Sequence, residues 1–212
     1  MKTAIIGVGN IGATLARNLI AGDYPVILAN KSAEKADQLA QALGQLATAM
    51  PIADAIRAAD VIVFAVYFDV IKDLLGQYRA DLSGKIVIDP SNPIAPDGNG
   101  GFRKTIPADQ SSGELLAALL PEGTELVKAF GTLGAESLQS AAHRDGDAAV
   151  LFYATDFPEA GRVAEKLITA SGFAAVRVGG VDQSVRLEVG GALHEFGKLG
   201  KLVTASEAAA LV

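Results

Sequence analysis

The stretch Gly7-Val8-Gly9-Asn10-Ile11-Gly12 lies directly after the apolar run Thr3–Ile6 and before a segment with helical periodicity. Three glycines at this spacing between a strand and a helix are typical of a dinucleotide-binding turn. Gly7 permits the tight exit from the strand, Gly9 lets the backbone approach a pyrophosphate, and Gly12 lets the helix pack closely on the strand. The pattern predicts a cofactor site; the alternative is a structural strand–turn–helix connection without a ligand.

Length and hydropathy favour one large domain, or a domain with a small appendage. The 212 residues are 50% hydrophobic, with a mean hydropathy of +0.32. No apolar run approaches the ~18 residues that are needed to cross a bilayer, so we expect no membrane partner. The first residues lack a charged segment followed by a cleavage site. We therefore expect the protein to be cytoplasmic.

Cysteine content and charge exclude several classes of function. The chain has no cysteine and two histidines, so disulfides, thiolate nucleophiles and thiolate metal sites are excluded. Asp97 and Asn99 suggest calcium, but the spacing lacks a terminal glutamate, and we interpret them as turn residues. The net charge of −6 comes from 18 basic and 24 acidic residues without a basic stripe. Neither a metal nor a nucleic-acid partner is therefore predicted.

Short β-branched runs alternate with helical patterns along the chain. This alternation predicts an α/β fold, a Rossmann-type doubly wound and mostly parallel sheet with a short carboxy-terminal helical segment. The predicted strands are Thr3–Val8, Pro25–Asn30, Ala47–Ala49, Val61–Val66, Lys85–Asp89, Glu125–Ala129, Ala148–Ala154 and Ala174–Gly179. The predicted helices are Ile11–Ala21, Ser32–Leu43, Ile52–Ala59, Asp69–Tyr78, Ser112–Leu119 and Phe157–Ser171. We expect residues 1–180 to form the dinucleotide-binding domain and 181–212 the carboxy-terminal segment.

One long segment, Pro90–Gln110, is predicted to be irregular because it contains four prolines and three glycines. It leaves the carboxyl end of a predicted strand, where open α/β sheets bind their ligands. Long irregular segments inside compact domains are often functional. We interpret it as a functional loop, with a surface excursion as the alternative.

The end of the second predicted strand reads Asn30-Lys31-Ser32. Sites that prefer NAD carry a carboxylate there, about 20 residues after the glycines, which accepts hydrogen bonds from the ribose. No carboxylate stands at this place, while Lys31 and Lys35 offer positive charge and Ser32 offers a hydroxyl at a helix start. The sequence therefore predicts NADP rather than NAD, with Lys31 as an ordinary solvated residue as the alternative.

A second pocket over the nicotinamide is expected from the segments that follow the fourth, fifth and sixth strands. Asn92 is predicted to hydrogen-bond the carboxamide, and Pro93 with Leu133 to exclude water. Tyr67 either lines this cleft or is a core aromatic with its hydroxyl at the surface. The three segments are Ala65-Val66-Tyr67-Phe68, Ser91-Asn92-Pro93-Ile94 and Lys128 to Ala135.

No residue stands out as a general acid, so we assign no catalytic residue. His143 lies in a polar stretch that reads as a solvated turn, and His194 lies beside Glu195 in a glycine-rich stretch that could line a pocket or an interface. Reduction of a ketone or an imine usually requires a proton donor, whereas hydride transfer to a flavin-like ring depends mainly on stacking two planar rings. The second reaction fits better, and the alternative is a redox sensor that binds NADP(H) without turnover.

Taken together, the order of these segments resembles the family of coenzyme F420-dependent NADPH oxidoreductases, and it is also similar to the cytoplasmic domain of STEAP-type metalloreductases. The resemblance extends over nearly the whole chain. The residues that carry it are Ile5–Gly12, Ala29–Ser32, Val63–Val66, Gly84–Asp89, Ser91–Pro93, Val127–Phe130 and Val185–Glu188.

The resemblance implies a role for several residues. The pyrophosphate loop matches Gly7–Gly12, the adenosine phosphate subsite matches Asn30–Lys35, and backbone near Ala135 would hold the carboxamide. One departure is Gly131, where the F420 enzymes carry a histidine near the nicotinamide, and a glycine is expected to open the pocket. Gly131, Leu133 and His194 are predicted to line the substrate site, with F420, another flavin, a quinone-like ring or a metal chelate as acceptor.

Relatives that share the amino-terminal pattern, such as β-hydroxyacid dehydrogenases and pyrroline-carboxylate reductases, complete their sites with a sizeable helical domain. About 30 residues follow the last predicted strand here, so we expect a different enzyme unless dimerisation supplies the missing surface. Residues 181–212 are instead predicted to form a homodimer, with Gly190-Gly191, Leu193 and Phe196 letting helices approach closely.

Overall fold

The computed structural model describes residues 1–212. The strands are β1 (Thr3–Ile6), β2 (Val26–Ala29), β3 (Ala47–Ala49), β4 (Val61–Phe64), β5 (Ile86–Asp89), β6 (Ile94–Pro96), β7 (Phe102–Lys104), β8 (Glu125–Lys128), β9 (Val150–Tyr153) and β10 (Ala174–Arg177). The helices are α1 (Asn10–Ala21), α2 (Ala33–Leu43), α3 (Ile52–Ala58), α4 (Phe68–Gln77), α5 (Arg79–Leu82), α6 (Ser112–Ala117), α7 (Ala135–Ser140), α8 (Pro158–Ala170), α9 (Ser184–Leu187) and α10 (Ala205–Ala208), with a 3-10 turn at Val181–Gln183.

Six strands form one parallel sheet in the order β3-β2-β1-β4-β5-β8. The chain moves outward from β1 in one direction and then returns to β4 on its other side, so the strand order reverses between β1 and β4. Ligands of open α/β sheets bind in the crevice outside the carboxyl ends of the strands at such a point. The glycine turn after β1 lies at this point, and the Rossmann-type fold is confirmed.

Both faces of the sheet are buried, as is usual for parallel sheets. Every residue of β1, β2, β4 and β5 is buried. Ile5 belongs to a core that α1, α7 and α8 cover, whereas Ala4 and Ile6 belong to one that α3, α4 and α6 cover. Alternate side chains therefore anchor helices on opposite faces and fix the turns at the end of each strand.

The last two strands form a separate small sheet. β9 and β10 pair in parallel with each other, and β9 is joined to β8 only by an antiparallel bridge between Lys128 and Ala154. The predicted strands Ala148–Ala154 and Ala174–Gly179 are therefore present, but they lie outside the six-stranded sheet.

Two other segments also differ from expectation. The segment 90–110 contains an antiparallel hairpin, β6 with β7, instead of being irregular throughout. Residues 181–212 contain only the 3-10 turn, α9 and α10, and their glycine-rich part, 188–203, is not helical. No helix of the structure has the length and apolar character that a membrane span requires.

Candidate functional site

The glycine turn is shaped by three different steric requirements. Gly7 has φ +101°, and a Cβ there would lie 2.5 Å from the Ala65 carbonyl oxygen, while a Cβ on Gly12 would overlap the Gly7 carbonyl. Gly9, the N-cap of α1, has nothing within 4 Å of its Cβ position. Two glycines therefore pack β1, α1 and the end of β4 together, and the third leaves an open space at the helix N-terminus.

A cleft of about 690 Å³ runs along the carboxyl edge of the sheet, past the ends of β2, β1, β4, β5 and β8. We call its two ends the glycine half and the aromatic half. The glycine half is lined by Gly7, Gly9, Asn10, Ile11 and Asn30. The aromatic half is lined by Ile94, Phe102, Leu133, Val189, His194 and Phe196. Between and beneath them lie Ala65, Val66, Tyr67, Pro90, Ser91, Asn92, Gly131, Gly134 and Ala135.

A second cleft of about 600 Å³ shares Gly9, Asn10 and Ala135 with the first. It is lined by Val8, Ala13, Thr14, Arg17, Lys35, Glu136 and Gln139 as well. Arg17 follows Asn10 by two turns of α1, a spacing that places both on one helix face and would have revealed it in the sequence. Arg17 and Lys35 therefore line a cleft that includes the open space beside Gly9.

Four predicted cofactor residues line neither cleft: Gly12, Lys31, Ser32 and Pro93. Gly12 is buried in the turn. Lys31 is exposed at the end of β2, and Ser32 is the N-cap of α2 with no side-chain capping hydrogen bond. Pro93 is buried, and its carbonyl oxygen accepts a 2.8 Å hydrogen bond from the Thr105 N–H in the hairpin.

Asn92 already has partners for its amide. Its Nδ2 donates to the Gly131 carbonyl oxygen at 3.0 Å, and its Oδ1 accepts from the Val189 N–H at 2.8 Å. The side chain thereby joins the loop after β5 to the loop after β8 and to the carboxy-terminal segment. A carboxamide that contacts Asn92, as predicted, would have to share the Asn92 amide with these two partners.

Gly131 does not open the cleft as the sequence suggested. A Cβ at this position would lie 2.9 Å from the Pro90 carbonyl oxygen and 3.6 Å from Asn92 Nδ2. The missing side chain lets the loops after β5 and β8 pack against each other. Leu133 is buried beside it and faces the cleft.

Three aromatic rings stand exposed around the cleft. Tyr67 is 82% exposed, Phe102 59% and Phe196 60%. They come from the start of α4, from β7 and from the carboxy-terminal segment. Tyr67 is therefore not a core aromatic. Phe102 was not predicted individually, although its segment was interpreted as a functional loop. Nothing in the sequence pattern marks Phe196 as a neighbour of Gly134.

The two histidines have different environments. His194 is 1% exposed, and its Nδ1 accepts a 2.9 Å hydrogen bond from the Phe196 N–H. Burial lowers the pKa of His194 to about 4, against the opposing effects of Glu195 and of a hydrogen bond with the Gly131 backbone. His143, with φ +51°, bonds the Asn18 carbonyl at 2.8 Å and ties its turn to α1. His194 is thus a neutral lining residue at neutral pH, and His143 is structural.

A buried charge cluster supports the floor of the cleft. Lys128, 1% exposed, donates to Asp89 Oδ2 at 2.7 Å and to Ser112 Oγ at 2.8 Å, and it also donates to the Ser91 carbonyl. Ser112 Oγ donates to Glu188 Oε1 at 2.9 Å, and Asp89 Oδ1 accepts from the Ser91 N–H at 2.8 Å. We did not predict this cluster; a lysine ending a buried strand was its only signal.

Glu195 attaches the carboxy-terminal segment to α7. Its carboxylate accepts hydrogen bonds from the Gly134 N–H and from Ser137 Oγ, the latter at 2.6 Å, and its N–H donates to the Thr132 carbonyl. Phe196 is thereby held against Gly134 at the rim of the aromatic half.

The chain is similar to known proteins in sequence and in structure. The family described as NADP oxidoreductase, coenzyme F420-dependent, matches residues 2–93, which contain β1 to β5 and both glycine-half loops. A hypothetical protein of Sinorhizobium meliloti has a solved structure that superposes with a TM-score of 0.84 and 30% identity, over 96% of this chain and 95% of that one. The chain is thus similar to F420-dependent NADP oxidoreductases, whose family model matches its residues 2–93.

Two curated relatives of this chain differ greatly in length. The F420-dependent NADP reductase of Methanothermobacter thermautotrophicus is 29% identical over 89% of this chain and 85% of its own length. The metalloreductase STEAP3 of Rattus norvegicus is 29% identical over 88% of this chain. The chain spans only 36% of the length of STEAP3, which therefore contains a large part that the chain does not match.

Proposed function

We propose that this chain binds NADP(H) in the glycine half of the cleft and transfers hydride to a flavin-like ring, F420 or another, or to a small redox acceptor in the aromatic half. The open space at Gly9 carries the proposal. It lies at the N-terminus of a 12-residue helix, at the point where the strand order reverses. Similarity to F420-dependent NADP reductases supports the same function.

The residues present fit a dinucleotide. The first turn of α1 contains no acidic residue, and Gly9 contributes no side chain that could cap its N–H groups. These N–H groups and the helix dipole favour a bound pyrophosphate. A Cβ on Gly9 would extend into the space that the phosphates need, whereas Gly7 and Gly12 serve the packing of the turn.

The remaining lining residues position the reacting rings and exclude water. Leu133 and Val66 offer apolar surface to a nicotinamide, and Ala135 offers backbone at the start of α7. When bound, NADPH supplies the hydride; the chain supplies orientation and a dry cleft. His194 is neutral and shares its Nδ1 with Phe196, so it lines the site without holding a proton for transfer at neutral pH.

Preference for NADP over NAD is supported by charge. Asn30, not a carboxylate, directly follows β2, and its Oδ1 accepts a long 3.4 Å hydrogen bond from the Val8 N–H. Lys31, Ser32 and Lys35 surround the start of α2, and Arg17 adds a cation from α1. A 2′-phosphate would find positive charge and a free hydroxyl here.

Calorimetry and turnover test the proposed function. NADPH should bind with an affinity above that of NADH, and NADPH absorbance should fall when F420, FMN, quinones or ferric chelates are added in turn. Gly9→Ala should lose the binding while the protein stays folded. Failure of NADPH to bind the folded wild-type chain would refute the proposal.

A second candidate is a sensor that reports the NADP redox state without turnover. The observation in its favour is that the only histidine in the cleft is buried, which lowers its pKa to about 4, so His194 holds no extra proton for transfer at neutral pH. Tight NADPH binding without oxidation by any acceptor would support the sensor over the enzyme.

We also propose that the chain forms a homodimer through residues 181–212. The close helix packing predicted through Gly191 and Leu193 is wrong. Leu193 is buried within the chain, and a Cβ on Gly191 would lie 2.5 Å from the Val185 carbonyl oxygen of the same segment. The exposed apolar side chains Val185, Leu211 and Val212 offer a surface instead. Sedimentation as a monomer at micromolar concentration would contradict the dimer.

A further inference from the structure

We infer that the aromatic half of the cleft selects a planar conjugated ring without charge, such as a quinone or an isoalloxazine that lacks phosphate, and disfavours phosphorylated or sulfonated acceptors. This inference rests on the proposed function and names the class of its second substrate: among the proposed acceptors it favours quinones and unphosphorylated flavins over F420, which carries phosphate. Three features of the cleft carry it: its neutral lining, a helix start that donates to a carboxylate, and its exposed rings.

The lining contains no Asp, Glu, Lys or Arg. In the glycine half, free N–H groups of α1 compensate for the absence of cations. In the aromatic half, the Gly134 N–H at the start of α7 donates to the Glu195 carboxylate instead. An anionic group placed there would lose its water without gaining a cation and would lie near this carboxylate, which is costly.

Three cations on β7 and β8, beside the aromatic half, are occupied or leave their strand on another face. Lys128 is buried in its cluster with Asp89, and Lys104 Nζ lies 3.5 Å from Glu188 Oε2. Arg103 follows Phe102 on β7, so its side chain leaves the strand on the opposite face. Glu195 adds a negative charge at the rim.

The aromatic half offers apolar surface to a flat ring. Phe102 and Phe196 come from two separate segments, the hairpin and the carboxy-terminal segment, and both are more than half exposed. Ile94, Leu133 and Val189 line the same cleft. Large aromatic side chains that stay exposed beside a cleft offer faces for stacking.

Reduction of the ring takes a hydride from NADPH and a proton from solvent. The ring gains the hydride, with its two electrons, that NADPH loses, and one proton from water completes the dihydro form of the ring. NADPH is oxidised to NADP⁺, and the ring is reduced by two electrons.

Lumiflavin and FMN test the inference, because they share one ring and differ in the phosphate. Fluorescence titration of NADP⁺-loaded protein should give a dissociation constant about tenfold lower for lumiflavin than for FMN. 1,4-Naphthoquinone and its 2-sulfonate should show the same order as competitors. Equal affinities, a preference for the charged member of a pair, or no binding by either ring would overturn the inference.

Variants locate the ring. Phe102→Ala and Phe196→Ala should each weaken lumiflavin binding about three- to tenfold and leave the affinity for NADP⁺ unchanged. Phe157→Ala, an exposed phenylalanine at the start of α8, is the matched control and should change neither. Lumiflavin binding without NADPH turnover would refute the proposed hydride transfer alone, whereas turnover with FMN favoured over lumiflavin would refute only the ring selection.

Discussion

The two halves of the cleft are built in different ways. The glycine half is made of backbone from one short stretch of chain, where Gly7, Gly9 and Gly12 each meet a steric requirement within the same turn. The aromatic half is made of side chains from three separate segments, held by Asn92, Glu195 and a buried charge cluster. A backbone-built half serves a common cofactor, and a side-chain-built half is where specificity for a second substrate can vary.

The largest effect is expected from the support beneath the aromatic half. Lys128→Met should lower the free energy of unfolding by about 3–5 kcal/mol, because Asp89 would be left buried and unpaired. Urea denaturation would measure this loss. Lys72→Met is the matched control, since the exposed pair of Lys72 with Asp69 at 2.7 Å should contribute less than about 1 kcal/mol. Similar losses in both variants would show that the cluster is not the support.

The next effect separates the roles of two glycines in the other half. Gly9→Ala should weaken NADPH binding about 100-fold, near 3 kcal/mol, without lowering the melting temperature, because its Cβ meets no protein atom. Gly12→Ala should lower the melting temperature, because its Cβ would overlap the Gly7 carbonyl. Calorimetry and thermal unfolding give the two readouts. A loss of stability in Gly9→Ala would break the distinction.

The pH dependence of stability should report on the aromatic half through His194. Burial lowers the folded pKa of His194 to about 4 from 6.5, so between these values the unfolded chain binds more protons. Stability therefore rises with pH across this window, and lowering the pH from 7 to 5 should cost about 2 kcal/mol through this group. Urea unfolding of the wild type and of His194→Gln at both pH values isolates it. Equal losses in the two proteins would contradict a buried neutral histidine.

The smallest effect concerns cofactor choice in the glycine half. Lys31→Ala and Lys35→Ala should each reduce the preference for NADPH over NADH about tenfold, because each removes one charge from the expected phosphate position. The ratio of the two Michaelis constants measures it. Lys166→Ala, which removes an exposed lysine on α8, should leave the ratio unchanged. An unchanged ratio in Lys31→Ala would remove that residue from the site.

The sequence predicted the glycine half better than the aromatic half for a physical reason. The strand, turn and helix from Thr3 to Ala21 are determined by local spacing, and the expected bounds differ by at most two residues from those observed. The predicted alternation of strands and helices from β1 to β5 is also the observed one. Both depend on patterns that a short window of sequence contains.

The aromatic half depends on contacts between distant segments. Phe196 reaches Gly134 only because Glu195 caps α7, and Lys128 reaches Glu188 only through Ser112. No spacing rule marks such partners. The effect of Gly131 was misjudged for the same reason, since its neighbour is the Pro90 carbonyl of another loop.

The hairpin of β6 and β7 has a consequence for evolution. It pairs only with itself, and its register spans three residue pairs, from Ile94 with Lys104 to Pro96 with Phe102. Two-stranded hairpins on their own are marginally stable, so its amides should exchange with deuterium ahead of those in the six-stranded sheet. This hairpin can be lengthened, shortened or replaced while the parallel core stays intact. Proteins that evolve from one such fold can therefore come to use different oxidants.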